Sequence, residues 1–217
     1  MNYFVSCCIG ILIGTNSFAQ TADPSLPPGL VKISKDNNPK CVEFIAYHGE
    51  MYCSLTELDK TSVDPNVLSY EKQKIHFDHR AWKAVWAKKT DEITTVEYIP
   101  VGENLNNWNE LITTQFMPGM SQVTAAQFGN QFLRSLNKSG ITYKVTSIVD
   151  KPNELIFEFK VEKPLNLQQD EIQKVVKGKD GMYVIHYAIK KSDMGEINRK
   201  KWIENIKKST LLPGAGA

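Results

Sequence analysis

The sequence predicts an α+β domain: an antiparallel sheet with helices packed against it. Three observations carry that expectation. Runs rich in β-branched and aromatic residues pair off around turn-forming tetrapeptides, two amphipathic stretches interrupt those runs, and a third amphipathic stretch closes the chain. With 217 residues, 41% apolar and 23% charged, the chain is long enough for one good core and a small second unit.

Residues 1–19 carry no charged side chain, and positions 4–14 form an apolar run of secretory h-region length, too short to span a bilayer. Ser17 and Ala19 are the small residues that a signal peptidase accepts before Gln20, although Met1-Asn2-Tyr3 lacks the usual Lys or Arg. Residues 1–19 are therefore expected to be a signal peptide. Its removal leaves a mature chain of 198 residues, periplasmic or extracellular. Residues 20–40, with Pro24, Pro27, Pro28 and Pro39, read as an extended arm.

Cleavage also removes Cys7 and Cys8. That leaves Cys41 and Cys53 as the two thiols of a chain maturing in an oxidising compartment, and one disulfide is expected between them. Polarity alternates after Cys41 and His48-Gly49 is a plausible reversal, so a hairpin brings the pair together. Residues 41–80 form a small N-terminal segment. Ser54-Leu55-Thr56-Glu57 has the capping-box form and Asp64-Pro65 offers a cap followed by Pro, so two short helices are expected between Ser54 and Lys74.

The main domain is expected over residues 81–211. Runs 82–87 and 92–99 read as a hairpin turned by Lys88-Lys89-Thr90-Asp91. Over 104–116, Leu105, Trp108, Leu111, Ile112 and Phe116 fall on one helical stripe, stopped by Pro118-Gly119, and a helix is expected. A second helix starts at the capping box Thr124-Ala125-Ala126-Gln127, with Phe128, Phe132 and Leu136 at spacings of four and Gly140 at its end. Strands follow at 141–149, 154–161, 172–177 and 182–189, an antiparallel meander. A terminal helix runs from about Asp193 through Trp202, Ile203 and Ile206, and residues 212–217 form a flexible tail.

The stretch Tyr98-Ile99-Pro100-Val101-Gly102-Glu103-Asn104-Leu105-Asn106-Asn107-Trp108 leaves a strand through Gly102 into an element with Leu105 and Trp108 on its buried side. It resembles the PsbP/DcrB-like exported α+β domains, over about residues 81–211. The resemblance implies a small accessory or binding domain without catalysis. Gly102, Leu105 and Trp108 would have structural roles, and no catalytic residues carry over.

Composition narrows the function further. Twenty-six Lys and Arg against 24 Asp and Glu leave a net charge of only +2, not the concentrated positive surplus that nucleic-acid binding needs. There is no Gly-x-Ser-x-Gly elbow, Walker loop or Gly-x-Gly-x-x-Gly turn to anchor hydrolase or nucleotide chemistry, and no cofactor is expected. His76 and His79, three apart with Asp78 between them, form a candidate metal site for a metal-assisted hydrolase. The terminal helix is basic, and Lys200, Lys201, Lys207 and Lys208 are candidates for binding an anionic membrane, a glycan or an acidic partner. Trp82, Trp86 and Trp108 either line a ligand groove or pack in the core, and His186, at the centre of a strand, reads as a packed histidine. The leading expectation is an exported, non-catalytic binding or accessory protein for a protein or ligand partner.

Overall fold

A computed structural model describes residues 30–34, 41, 43–47, 50–55 and 67–213. The expected signal peptide, most of the arm at 20–40, the reversal at His48-Gly49, residues 56–66 of the expected short helices and the last four residues lie outside the described residues.

The strands in chain order are β1 (Val31–Lys32), β2 (Glu43–Tyr47), β3 (Glu50–Ser54), β4 (Gln73–Lys74), β5 (Trp82–Lys89), β6 (Thr94–Pro100), β7 (Glu110–Met117), β8 (Thr142–Lys151), β9 (Glu154–Lys163), β10 (Asp170–Lys177), β11 (Met182–Ile189) and β12 (Thr210–Leu211). Two α-helices join them, α1 (Ala125–Lys138) and α2 (Glu196–Lys208). Ten strands make one antiparallel sheet in the order β1-β3-β2-β5-β6-β7-β11-β10-β9-β8, and β4 pairs with β12 in a separate two-stranded ribbon.

The expected α+β class is corrected by this architecture: the fold is β-rich, with two α-helices among the described residues against a ten-stranded sheet. The expected helix over 104–116 is the main source of the difference. Only Leu105–Asn107 turns, as one 3-10 element, and Glu110–Met117 is a central strand. Ile112-Thr113-Thr114-Gln115 is paired on both sides and buried on both faces. Its polarity therefore lacks the alternation that marks a half-exposed strand, and the helical stripe was coincidental. Of the helical expectation over 54–74, the described part holds a 3-10 turn at Val67–Tyr70. The β2–β3 hairpin also joins the main sheet, through β2 on β5.

Helix α1 forms as its sequence indicates. Thr124 Oγ1 accepts from Gln127 N–H while the Gln127 side chain accepts from Thr124 N–H, and Gly140 takes φ +73° just past the end. Its Phe128 and Phe132 pack on Phe157, Phe159 and Val161 of β9. Helix α2 lies on the opposite face. Trp202 stacks on Tyr187 with ring centroids 4.0 Å apart and meets Trp82 edge-on at 5.5 Å, within a core that includes Ile112, Ile172 and Ile185.

Truncating Trp202, which is 1% exposed, leaves a void against both aromatic partners. Trp202→Ala is expected to cost about 3–5 kcal/mol in urea denaturation; a cost below about 1 kcal/mol would show that α2 is not docked on the sheet.

Candidate functional site

Pairing in register gives the sheet two chemically different faces. On the face that carries α2, charge is spent on attachment. Asp78 accepts from Trp82 Nε1 (2.9 Å), Arg80 Nε (2.9 Å) and Lys201 Nζ (2.9 Å). Arg80 forks onto Glu110 at 2.9 and 2.6 Å, and Tyr187 O–H donates to the same carboxylate at 2.7 Å. Burial pushes the Asp78 and Glu110 carboxyls up, but the hydrogen bonds and cations around them win and hold both below the usual range. A second cluster ties the start of α2 to β9 and β10. Arg199 bonds Glu158 at 2.7 Å and Asp193 at 2.8 Å, and Met194 N–H donates to Asp170 at 2.8 Å. Burial beside Glu158 raises the Asp170 carboxyl.

The other face is shared unequally. Helix α1 rests on β8, β9 and β10. Towards β5 the same face carries a polar band. Trp86 stands opposite Glu97, Glu97 opposite Thr113, Thr113 opposite His186, and His186 opposite Gln173, so one row of side chains crosses five strands. Beside that row lie Thr95, Gln115, Gln169 and Glu171, all buried. Glu171 accepts from Gln169 Nε2 (2.9 Å) and Gln173 Nε2 (2.7 Å), and His186 Nδ1 lies 2.6 Å from it, while His186 Nε2 faces Gln115 Oε1 at 3.1 Å. Gln173 Oε1 is buried without a hydrogen-bond partner. Ile99, Leu111 and Ala188, buried along one margin of the band, belong to neither of the two core clusters.

The end of the row at β5 differs from its middle. Trp86 is 38% exposed, the most exposed of the four tryptophans described: Trp82 and Trp202 are in the core, and Trp108 is half-buried beneath the Lys190 ammonium at 4.3 Å. Glu97, half-buried, forms no hydrogen bond and no ion pair among the described residues. Burial alone pushes its carboxyl up to about 7. Nearly every other buried carboxylate of the described sheet is held by partners, so Glu97 is an exception that demands a reason.

The residues singled out by sequence are distributed as follows. Cys41 and Cys53 form the disulfide, with Cα atoms 5.3 Å apart, tying the start of β2 to β3. His76 is exposed and uses its backbone N–H on Ser209 Oγ, His79 is exposed, and Asp78 is occupied by Arg80, Lys201 and Trp82. Among the described residues no three His, Cys, Asp or Glu side chains converge as a metal site. The four lysines of the basic helix are split. Lys201 turns inward to Asp78 and Lys207 pairs with Glu204, whereas Lys200 and Lys208 are exposed. Among the described residues, no helix is long and apolar enough to cross a membrane. His186 is packed and, beyond that, bonded to Glu171. The sequence reading missed Glu97, Thr113 and Gln115 as a site. The signal available was a lone carboxylate within the apolar run of β6 and a Thr-Thr-Gln triplet, the latter hidden by the helical reading of 104–116.

A protein-family model matches residues 70–212, and the chain belongs to that family. The matched region takes in β4 through β12, both helices and the whole polar band, and leaves the disulfide-tied β2–β3 hairpin outside. No curated protein and no solved structure matches the chain.

Glu97 gives a pH-dependent signature of this face. Its folded value near 7 exceeds the ordinary 4.5, so the fold holds a proton that the unfolded chain releases. The penalty for ionising it is absent at low pH, grows as pH rises from about 4.5 to about 7, and then levels off. Glu97→Gln is expected to stabilise the protein by on the order of 2 kcal/mol at pH 8 and by nothing at pH 4, measured by urea denaturation. An equal effect at both pH values would contradict the burial of this carboxyl.

Proposed function

We propose that this is an exported protein that works outside the cytoplasm by binding a partner, through the β5–β6 end of the polar band, without catalysing a reaction. The observation that carries the binding role is the pairing of an exposed Trp86 with the unpartnered Glu97 directly across the strand pair. A tryptophan left in water and a desolvated carboxyl without a counter-charge both cost the free protein stability, and both costs are relieved by an occupant. Two features support export. The Cys41–Cys53 disulfide suits an oxidising compartment, and the apolar segment at 4–14 followed by Ser17 and Ala19 suits signal cleavage.

The non-catalytic reading rests on how the acidic groups are used. Asp78, Glu110, Glu71, Glu158 and Asp193 are each engaged in attachments within the fold. The resemblance carried by Gly102, Leu105 and Trp108 points to the same accessory role.

Two experiments on the native host test the proposal. Mass spectrometry of the protein recovered from the periplasm or medium is expected to show a chain beginning at Gln20 with Cys41 and Cys53 joined; a cytoplasmic chain beginning at Met1 with reduced thiols would refute export. A photo-crosslinking residue at Lys88, beside Trp86, is expected to yield a discrete adduct that the same residue at Asn130, on the exposed side of α1, does not. Identical adduct patterns from both positions, or none from Lys88, would refute the assignment of this surface.

A further inference from the structure

Building on that reading of the β5–β6 surface, we infer that the Trp86–Glu97 pair recognises an organic cation, an alkylammonium group seated between the indole face and the carboxylate. The pair is a direct cross-strand neighbour set on one face, a placement that brings Cβ atoms to within about 5.5 Å. An aromatic face attracts a cation through its quadrupole, and the attraction grows where water is partly excluded. A carboxylate beside it supplies the counter-charge. Among the described residues neither group is already used: Glu97 has no hydrogen bond or ion pair there, and no cation stands over Trp86, in contrast to Trp82, Trp108 and Trp202, each of which lies beneath an Arg or Lys of the chain.

The charged groups nearest on this face do not fill the place. Lys88, two residues along β5, lies opposite Thr95, is exposed and forms no ion pair with Glu97. Lys83, buried on this face opposite Ile99, has a partner and forms no ion pair with Glu97, and His186, two strands away beyond Thr113, is bonded to Glu171 and Gln115. The wall beyond Glu97 is uncharged, formed by Thr95 and Thr113, so an ammonium entering beside Trp86 meets one negative group there, while the buried cation of this face, Lys83, stands opposite Ile99 and has a partner of its own. A primary alkylammonium fits this chemistry in two ways, since its N–H groups bond the carboxylate and its methylene stem lies on the indole. The same chemistry is presented by a free amine and by a lysine side chain of a peptide.

The test uses the full mature chain and follows the Trp86 indole N–H resonance, assigned with Trp86→Phe. Butylammonium is expected to shift that resonance saturably, and the uncharged isostere butanol is expected not to. Glu97→Gln should weaken butylammonium binding about tenfold while leaving the fold's spectrum intact. Because burial holds the carboxyl up to about 7, lowering pH from 8 to 6 should weaken binding about fivefold in the wild type and leave Glu97→Gln unaffected. A capped Gly-Lys-Gly peptide is run alongside. Tighter binding of the peptide than of butylammonium assigns the cation to a protein partner, and equal binding assigns it to a free amine. An absent shift, an equal shift with butanol, or an unchanged affinity in Glu97→Gln overturns the inference. If that happens while the Lys88 photo-crosslink still forms its specific adduct, the surface remains the binding surface and only the cation is wrong.

Discussion

Strand register is the constraint on which the rest of this structure depends. From β5 through β6, β7, β11 and β10 to β9, each strand is paired so that one set of alternate residues faces α2 and the other faces the side of α1. Because side chains alternate with a period of two, a slip of one residue anywhere in that series would send a polar residue into the aromatic core and an isoleucine into the polar band. The single register shift in β5, between Ala84 and Trp86, makes the point locally. It lets Trp82 and Ala84 face the α2 core while turning Trp86 out beside Glu97.

The two faces solve opposite problems. Helix α2 is held by aromatic packing and by carboxylates that pair with its own cations, so much of its positive charge is consumed internally through Arg199 and Lys201. Such pairs are costly to desolvate but fix orientation, and their partners, Tyr187 and Asn198 among them, complete the bonding that partial burial demands. The opposite face carries its polar groups as a chain of neutral amides and hydroxyls around Glu171 and His186, and the chain stops short of Glu97. On the α2 face Asp78, Glu110 and Glu158 each have cationic partners, whereas on the other Glu97 has none among the described residues.

Much of the element content was legible because it rested on local chemistry. The capping box at Thr124, the turn residues between β8 and β9 and between β10 and β11, and the alternation in β9 each speak through near neighbours. The Cys41–Cys53 disulfide was legible through the cysteine count and the export that residues 1–19 led us to expect. What was not legible depended on distant pairing. The strand β7 is buried on both faces by partners more than sixty residues away in one case, so its sequence shows no alternation, and reading it as a helix tilted the fold class towards α+β. The same misreading scattered the band, because Thr113 and Gln115 join His186 only when β7 is a strand beside β11. Trp86 was among the candidate aromatics, but its partner Glu97 becomes a site only through cross-strand adjacency, which composition does not encode.

The most direct measurement is a set of cross-strand proton contacts by NMR in the isotopically labelled protein. Contacts linking Trp86 with Glu97, Glu97 with Thr113, Thr113 with His186 and His186 with Gln173 as directly opposed residues are the result expected. Contacts displaced by one residue at β6–β7 or β7–β11 would place Glu97 and His186 on different faces, and the polar band, with the binding surface proposed on it, would not exist.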